Sequence, residues 1–191
     1  MTQANFLKAT QGAPAWPTLL TALQAWDGPA GLAVDLGCGA GRDSLELLRQ
    51  GWRVQAVDAD PQALMHLLSQ VDEASRQRLE TTCESFETLA LPRADLVNGA
   101  FSLPFCEPTA YPEFWTRISG ALGQGGLFAG HYFGERDDWA AGKLTILSRQ
   151  ALLEQFAGWE LIEFEEAEFD GKTAVGRCKH WHLFSVVARR L

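Results

Sequence analysis

Two acidic residues flank three alternating glycines in the stretch VDLGCGAGRDSLELLRQGWRVQAVDAD, which spans residues 34–60. Asp35 lies two residues before the first glycine, and Asp58 follows the last one at the end of a second apolar run. Gly37, Gly39 and Gly41 allow a sharp turn and let a ligand approach without a Cβ in the way. Between a strand and a helix of a doubly wound sheet, such a loop directs free N–H groups at a bound molecule. We therefore interpret it as a cofactor loop.

The residues around the glycines indicate which cofactor is bound. A dinucleotide fingerprint would require a glycine where Arg42 stands, and a phosphate-binding P-loop would require a lysine that GRDS lacks. The carboxylate of Asp35 suits an ammonium group better than a pyrophosphate. Asp58 can accept hydrogen bonds from both hydroxyls of a ribose. The ligand is thus predicted to be cationic at one end and nucleoside-like at the other, as S-adenosylmethionine is.

Hydrophobic patterns predict the elements that position this loop. Turns are predicted at residues 123–126 and at Asp170–Gly171, and Gly51 is expected to end the short helix that follows the loop. The pattern predicts strands over 32–36, 52–58, 79–83, 94–101, 127–133, 159–169 and 178–190, and further helices over 15–26, 61–72, 112–122 and 148–156. Alternation of strands and helices predicts an α/β fold, a doubly wound Rossmann-like sheet of about seven strands, mostly parallel with an antiparallel C-terminal strand.

Length and composition limit the class of protein. The 191 residues predict a single domain over 1–191, with residues 1–28 as an N-terminal cap helix. A net charge of -8 argues against nonspecific nucleic-acid binding. The four cysteines form no C-x-x-C pair, and no signal peptide or long apolar segment is evident. We expect a soluble, cytoplasmic monomer or homodimer that acts on a small molecule and binds neither nucleic acid nor membrane.

Two motifs carry a resemblance to a known family. AVDLGCGAG at 33–41 and VDAD at 57–60 resemble the motifs of class I S-adenosylmethionine-dependent methyltransferases. The predicted strand order extends this resemblance over about residues 30–190. The segment GCGAGRDSLELLRQGWRVQAVD and the short final region are similar to those of small bacterial methyltransferases of the tellurite-resistance and thiopurine type.

The resemblance implies roles for individual residues. Asp35 and the backbone of Gly37–Gly41 would hold the methionine part of S-adenosylmethionine, Arg42 would contact its carboxylate, and Asp58 would bind the ribose. The end of the fourth strand, Asn98 to Phe101, would pass beside the sulfonium and offer backbone carbonyls. Contacts near the adenine are expected from Glu84, Ser85 and Phe86.

The acceptor site is expected to involve the N-terminal cap and residues 98–112 and 134–148. His131 and Tyr132, near the end of the fifth strand, are the catalytic candidates, with His131 as a possible general base. His180 and His182 alternate on one strand, but no third ligand supports a metal site, so no metal is expected. The substrate-binding candidates are Trp16, Phe101 and Phe105.

Three functions remain open at the level of sequence. The leading one is methyl transfer to a small molecule, with a soft nucleophile such as a thiol, selenium or tellurium compound as the acceptor. A thiolate would need no general base, whereas an amine or hydroxyl would. The alternatives are methylation of a protein or RNA, and a non-catalytic module that binds S-adenosylmethionine. A nicotinamide-dependent reductase is disfavoured because the dinucleotide fingerprint is incomplete.

Overall fold

A computed structural model of the protein describes residues 3–191. Its helices are α1 (Gln3–Thr10), α2 (Pro17–Ala25), α3 (Arg42–Arg49), α4 (Pro61–Gln70), α5 (Glu73–Arg76), α6 (Tyr111–Ala121) and α7 (Arg149–Gln155), with a 3-10 turn at Leu103–Phe105. None of the described helices is long and apolar enough to cross a membrane.

Seven strands form one sheet in the order β3-β2-β1-β4-β5-β7-β6. They are β1 (Leu32–Leu36), β2 (Arg53–Asp58), β3 (Leu79–Cys83), β4 (Ala94–Gly99), β5 (Leu122–Phe133), β6 (Trp159–Lys172) and β7 (Cys178–Arg190). Strand β7 is antiparallel to both of its neighbours, and the other pairings are parallel. The predicted Rossmann-like α/β fold is therefore confirmed. The chain reverses its direction across the sheet between β1 and β4, which is where such folds bind ligands.

Short sequence signals fix the helix boundaries next to the glycine loop. Asp60 caps α4 by accepting the amide of Gln62 at 2.9 Å, and Pro61 occupies the first helical position. Gly51 follows α3 with a φ of 88°, a conformation that glycine adopts without steric cost. Both predicted boundaries are confirmed, and they hold α3 and α4 behind the ends of β1 and β2.

Helices cover the sheet on both faces, so the central strands are mostly apolar, with polar side chains such as Asp35 and Asn98 near their carboxyl ends. On β5, Leu127 and Ala129 belong to the core beneath α2, α3 and α4. Phe128 and Tyr132 belong to the opposite core, beneath α6 and α7. The carboxyl ends of β1, β2 and β4 are thereby held at one edge, where the cofactor loop lies.

Three local predictions are wrong. Residues 123–126, predicted as a turn, belong to β5, with a register shift against β4 and a φ of 80° at Gly125. Asp170–Gly171 continues β6, because pairing with β7 extends to Lys172, and the turn lies at residues 173–177. The N-terminal region contains two helices, α1 and α2, instead of one, and residues 1 and 2 lie outside the described part.

Candidate active site

The glycine loop is anchored to the end of β2. The amides of Gly37 and Cys38 both donate to the carbonyl of Val57, at 2.8 and 2.9 Å. Gly37 has a φ of 68°, and a Cβ added there would lie 2.5 Å from the Cβ of Ser102. A side chain is therefore excluded both by conformation and by space, which leaves the backbone of the loop open to a ligand.

Asp58 is oriented by two backbone amides. Its Oδ2 accepts the amide of Gly39 at 2.9 Å, and its Oδ1 accepts the amide of Asp60 at 2.9 Å. The side chain is half-buried and contributes to the wall of the main cavity. Since each carboxylate oxygen can accept more than one hydrogen bond, Asp58 retains capacity for a vicinal diol. This geometry fits the ribose of S-adenosylmethionine.

A buried polar cluster lies beneath the loop. Asp35 and Asn98 are paired across β1 and β4, and the Asn98 amide nitrogen donates to Asp35 Oδ1 at 2.8 Å and to Asp43 Oδ2 at 2.9 Å. Ser44 donates to Asp35 Oδ2 at 2.5 Å. The remaining Asn98 Oδ1 is buried without a partner in the described residues. The cluster thus combines two carboxylates with one unused acceptor, a set that fits an ammonium donor.

Burial sets the protonation of this cluster. It raises the pKa of Asp35 to about 7, with the neighbouring charge of Asp43 adding to the effect. Burial also raises the pKa of Asp43. A cation bound nearby would stabilise the ionised carboxylates and draw both pKa values down. The site is therefore electrostatically incomplete without a positive ligand.

One cavity of about 1010 Å³ extends from the glycine loop across the edge of the sheet. Its wall contains most of the predicted cofactor residues, namely Asp35, Gly37, Gly39, Arg42, Asp58, Glu84, Ser85 and Phe86. The three predicted substrate residues, Trp16, Phe101 and Phe105, also line it. Gly41 and Asn98 support the loop from behind: Gly41 precedes α3 with a φ of 87°, and Asn98 is fully buried.

The first turn of α3 fastens the N-terminal segment over the loop. Arg42 donates to the carbonyl of Pro14 from two nitrogens, and its guanidinium carbon lies 4.0 Å from the centroid of the Trp16 ring. Asp43 Oδ1 accepts the amide of Trp16 at 2.9 Å. Arg42 lines the cavity, but these donors are directed at the chain itself and not at a ligand carboxylate.

Phe101 has a strained backbone at the centre of this region. It is the one non-glycine residue in the described part of the chain with positive φ, 55°. Its ring stacks on His131 with a centroid distance of 4.0 Å and lies 4.5 Å from Trp16. Such strain persists where the surroundings hold it, which is common at ligand sites.

The two catalytic candidates do not reach the cavity wall. His131 is buried beneath Phe101, burial lowers its pKa to about 3, and its Nδ1 has no partner in the described structure. Tyr132 is fully buried on the opposite face of the sheet, where its hydroxyl accepts from Gln155 at 3.0 Å. Alternation along β5 directs these neighbours to opposite faces, and the structure places Tyr132, a catalytic candidate from the sequence, away from the cavity.

The far end of the cavity is lined by five aromatic rings, of which the sequence analysis named only Phe105 as a substrate contact. We call Phe105, Phe133, Trp139, Phe169 and Trp181 the aromatic wall. Adjacent members have centroid distances between 5.4 and 6.5 Å. Alternation along β7 places Trp181 on the same face as Lys179. The five rings come from five separate segments of the chain, and no local sequence pattern predicts that these segments meet.

The two histidines of β7 are held by acidic residues of β6. His182 Nε2 lies 2.9 Å from a Glu166 oxygen, and His180 lies 3.1 Å from Glu168 and 2.7 Å from Asp170. No group of three or more His, Cys, Asp or Glu side chains in residues 3–191 is arranged so that it could hold a metal ion. These contacts serve the pairing of the hairpin.

Comparison with known proteins agrees with this geometry. A family model described as a methyltransferase domain matches residues 33–126. TehB from Haemophilus influenzae has a TM-score of 0.78 at 18% identity, covering 93% of this chain and 63% of its own. The 1,6-didemethyltoxoflavin-N1-methyltransferase of Burkholderia thailandensis, solved with S-adenosylhomocysteine, has a TM-score of 0.69 at 22% identity. The match covers 98% of this chain and 86% of that enzyme. The chain therefore spans less than two thirds of TehB. A search of curated proteins gave no significant match.

The fold alone does not fix the chemistry, because the [4+2]-cyclase SpnF also matches, with a TM-score of 0.67 at 17% identity over 91% of this chain and 79% of its own. The acidic glycine loop, the oriented Asp58 and the match over residues 33–126 together indicate a nucleoside-binding site within a methyltransferase domain. The methyltransferase-domain model matches just under half of the chain, and the fold is the one that these S-adenosylmethionine-dependent methyltransferases share, which supports S-adenosylmethionine as the cofactor.

Proposed function

We propose that the protein transfers the methyl group of S-adenosylmethionine to a small molecule held at the aromatic wall. The observation that carries this proposal is a single cavity that joins the glycine loop to the aromatic rings. A concave, largely apolar site with a few polar groups at one end is typical of small-molecule binding. The acceptor and the cofactor would meet beside Phe101, which lies between the two ends.

The residues at the cofactor end would bind and orient. Asp58 would accept the ribose hydroxyls, and Asp35 would attract the ammonium group electrostatically. When bound, the cofactor supplies a methyl group on a positively charged sulfur. The apolar wall would exclude water from the incoming nucleophile, and the geometry would hold it at about 3–3.5 Å for in-line attack.

We further propose that the nucleophile is soft, such as a thiol, selenium or tellurium centre. His131 and Tyr132, the two catalytic candidates near the end of β5, are buried, and neither lines the cavity. An acceptor that ionises by itself needs no general base, whereas a protonated amine or an alcohol does. The buried position of both candidates therefore supports an acceptor that needs neither of them as a base, such as a thiolate.

We also propose a cellular location, a domain organisation and a class of partner for the protein. Four free thiols, two of them exposed, support a reducing, cytoplasmic location. The continuous sheet from residue 32 to 190 supports one domain over 1–191. We also propose that this domain acts as a monomer or homodimer. A net charge of -8 supports the absence of nucleic-acid partners.

Calorimetric titration with S-adenosylmethionine and S-adenosylhomocysteine tests the cofactor end. Replacing Asp58 by Ala should weaken binding by about 1–3 kcal/mol, because charge-assisted hydrogen bonds to the ribose are lost. Asp27→Ala is the matched control, since Asp27 is exposed and lies outside the cavity. Equal affinity in wild type and Asp58→Ala would contradict the assignment.

Transfer is tested separately with cofactor that carries a tritiated methyl group. Label should enter thiols, selenols or tellurium compounds of low molecular mass. Label that appears only in protein or RNA would overturn the small-molecule proposal. Cofactor binding with no label transferred to any acceptor class would indicate a non-catalytic module.

A further inference from the structure

The aromatic wall already contains a positive charge of its own. The Lys179 ammonium nitrogen lies 3.7 Å from the ring centroid of Trp181, 4.0 Å from that of Trp139 and 4.6 Å from that of Phe133. Lys179 is 5% exposed and does not line the cavity, whereas the three rings do. The ammonium is therefore enclosed behind the wall, among the rings that face the cavity.

A buried carboxylate fixes this charge in place. Lys179 forms an ion pair with Asp137, whose side chain is fully buried. Asp137 also accepts the amide of Trp139 at 2.9 Å and the amide of His182 at 3.1 Å. Burial lowers the pKa of Lys179, and the hydrogen bond from Lys179 to Asp137 opposes that effect. The carboxylate is directed at Lys179 and at the backbone, so its negative charge is not presented to the cavity.

This arrangement determines which ligand charge the wall favours. Clustered aromatic rings attract cations through the negative faces of their π systems, and open cages of this kind bind ammonium ligands. Here Lys179 already occupies that position. The Lys179–Asp137 pair is neutral as a whole, but its positive end is the one that faces the rings, so a second cation against the same rings would meet the unfavourable end of that dipole.

The shape of the wall favours a flat ligand. Phe133 contacts Trp139 and Trp181 with centroid distances of 5.4 and 6.0 Å, and Phe169 is stacked on Trp181 at an interplanar angle of 23°. Planar rings bind such surfaces by offset stacking or edge contacts, which add to the burial of apolar area. A saturated ring of the same size would bury similar area without these contacts.

We propose that Phe133, Trp139 and Trp181, with Lys179 behind them, determine acceptor specificity and select a planar aromatic acceptor that carries no positive charge. This inference rests on the proposed function, because it assigns the wall to the acceptor. It names a class of compound that the methyltransferase fold by itself does not define.

The test compares three probes of similar size by calorimetry on wild-type protein, with and without saturating S-adenosylhomocysteine. 2-Naphthol is planar and neutral, 2-decalol is its saturated counterpart, and 2-naphthylmethylammonium is planar and cationic. We expect 2-naphthol to bind at least tenfold more tightly than either of the others. Equal affinities for 2-naphthol and the ammonium probe would overturn the charge selection, and equal affinities for 2-naphthol and 2-decalol would overturn the requirement for planarity.

Substitutions in the aromatic wall and at Lys179 test which residues produce the selectivity among the probes. Trp181→Leu should weaken 2-naphthol binding tenfold or more, and Trp26→Leu, a tryptophan outside the cavity, should leave it unchanged. The paired variant Lys179→Met with Asp137→Asn removes both charges, so no unpaired charge stays buried, and the ammonium probe should then bind at least fivefold more tightly than it does to wild type. An unchanged affinity of the ammonium probe for that folded variant would contradict the role of Lys179.

The cofactor titration keeps the two proposals separate. If S-adenosylhomocysteine fails to bind, the proposed function fails, and the selectivity among the three probes is still measured in its absence. If the cofactor binds but the wild-type protein shows no preference among the probes, the inference about the wall fails alone.

Discussion

Asp35 is a carboxylate that the fold keeps close to its protonated form near neutral pH. Burial, reinforced by Asp43, raises its pKa to about 7. A cationic ligand favours the ionised form, so the pKa of Asp35 should fall when S-adenosylmethionine binds. Binding below pH 7 must then release a proton.

The affinity for S-adenosylmethionine should therefore rise as the pH increases from 5.5 to about 7 and level off above that. Titrations at pH 6 in buffers with different ionisation enthalpies should reveal the released proton. Asp35→Asn should bind weakly and with little dependence on pH over the same range. A wild-type affinity that stays flat from pH 5.5 to 8 would show that Asp35 does not titrate on binding.

Gly37 allows the effect of space to be separated from the effect of conformation. It has a φ of 68°, and an added Cβ would lie 2.5 Å from Ser102. Gly158 has a similar φ of 82°, but a Cβ there would meet nothing within 4 Å. Gly158→Ala should cost about 1–2 kcal/mol of unfolding free energy from conformation alone. Gly37→Ala should cost more and also weaken cofactor binding.

Urea unfolding and cofactor titration of both variants check this prediction. A Gly37→Ala protein as stable as Gly158→Ala, with unchanged cofactor affinity, would mean that Ser102 moves aside freely.

At the residue scale, sequence motifs predicted the site residues that lie close to one another along the chain. Asp35, the glycines and Asp58 could be placed at the site because they belong to one strand-loop-strand unit. The bridging role of the Asn98 side chain could not be predicted. Asn98 lies on β4, 63 residues from Asp35 in sequence, and joins β1 to the first turn of α3. A side chain that bridges distant elements leaves no periodic signal.

At the scale of elements, the N-terminal helices are the part most directly tied to cofactor access. Ala9, Thr10 and Ala13 line the cavity, and the segment from Pro14 to Trp16 is held by Arg42 and Asp43. Deleting residues 1–13 retains both anchors and the seven strands but removes part of the cover over the loop.

We expect this deletion to weaken S-adenosylmethionine binding roughly fivefold, the factor that about 1 kcal/mol produces, mainly through faster dissociation. Stopped-flow measurement of tryptophan fluorescence, with the full chain as the control, reports the dissociation rate. Equal dissociation rates in the two proteins would show that α1 does not retain the cofactor.

Strand pairing explains why one predicted turn was misplaced. Asp170–Gly171 is a common turn pair, yet β6 continues through it, because each residue to Lys172 has a partner on β7. The actual turn at 173–177 contains Gly176 with a φ of 84°. Pairing with β7 therefore determined the structure at Asp170–Gly171 in spite of the local turn propensity, and such long-range pairing is not visible in a single sequence.

At the scale of the whole molecule, alternation of strands and helices was enough to predict the sheet and its antiparallel final strand. The acceptor end was not predictable in the same way. Its rings come from the 3-10 turn, from β5, β6 and β7, and from the insertion after β5, so only the assembled fold brings them together. Only Phe105 of the aromatic wall was identified as a substrate contact from the sequence.

The assembled site should couple cofactor binding to the stability of the whole molecule, because the loop, β2 and α3 that form it exist only in the folded state. A ligand at 100 times its dissociation constant adds about 2.7 kcal/mol to the unfolding free energy, which for a chain of this size raises Tm by roughly 5–10 °C. S-adenosylhomocysteine should produce this shift in differential scanning fluorimetry. NAD at the same concentration should produce none, since Arg42 replaces the last glycine of the dinucleotide fingerprint. Asp58→Ala should lose most of the shift, and a larger shift with NAD than with S-adenosylhomocysteine would argue for a dinucleotide site instead.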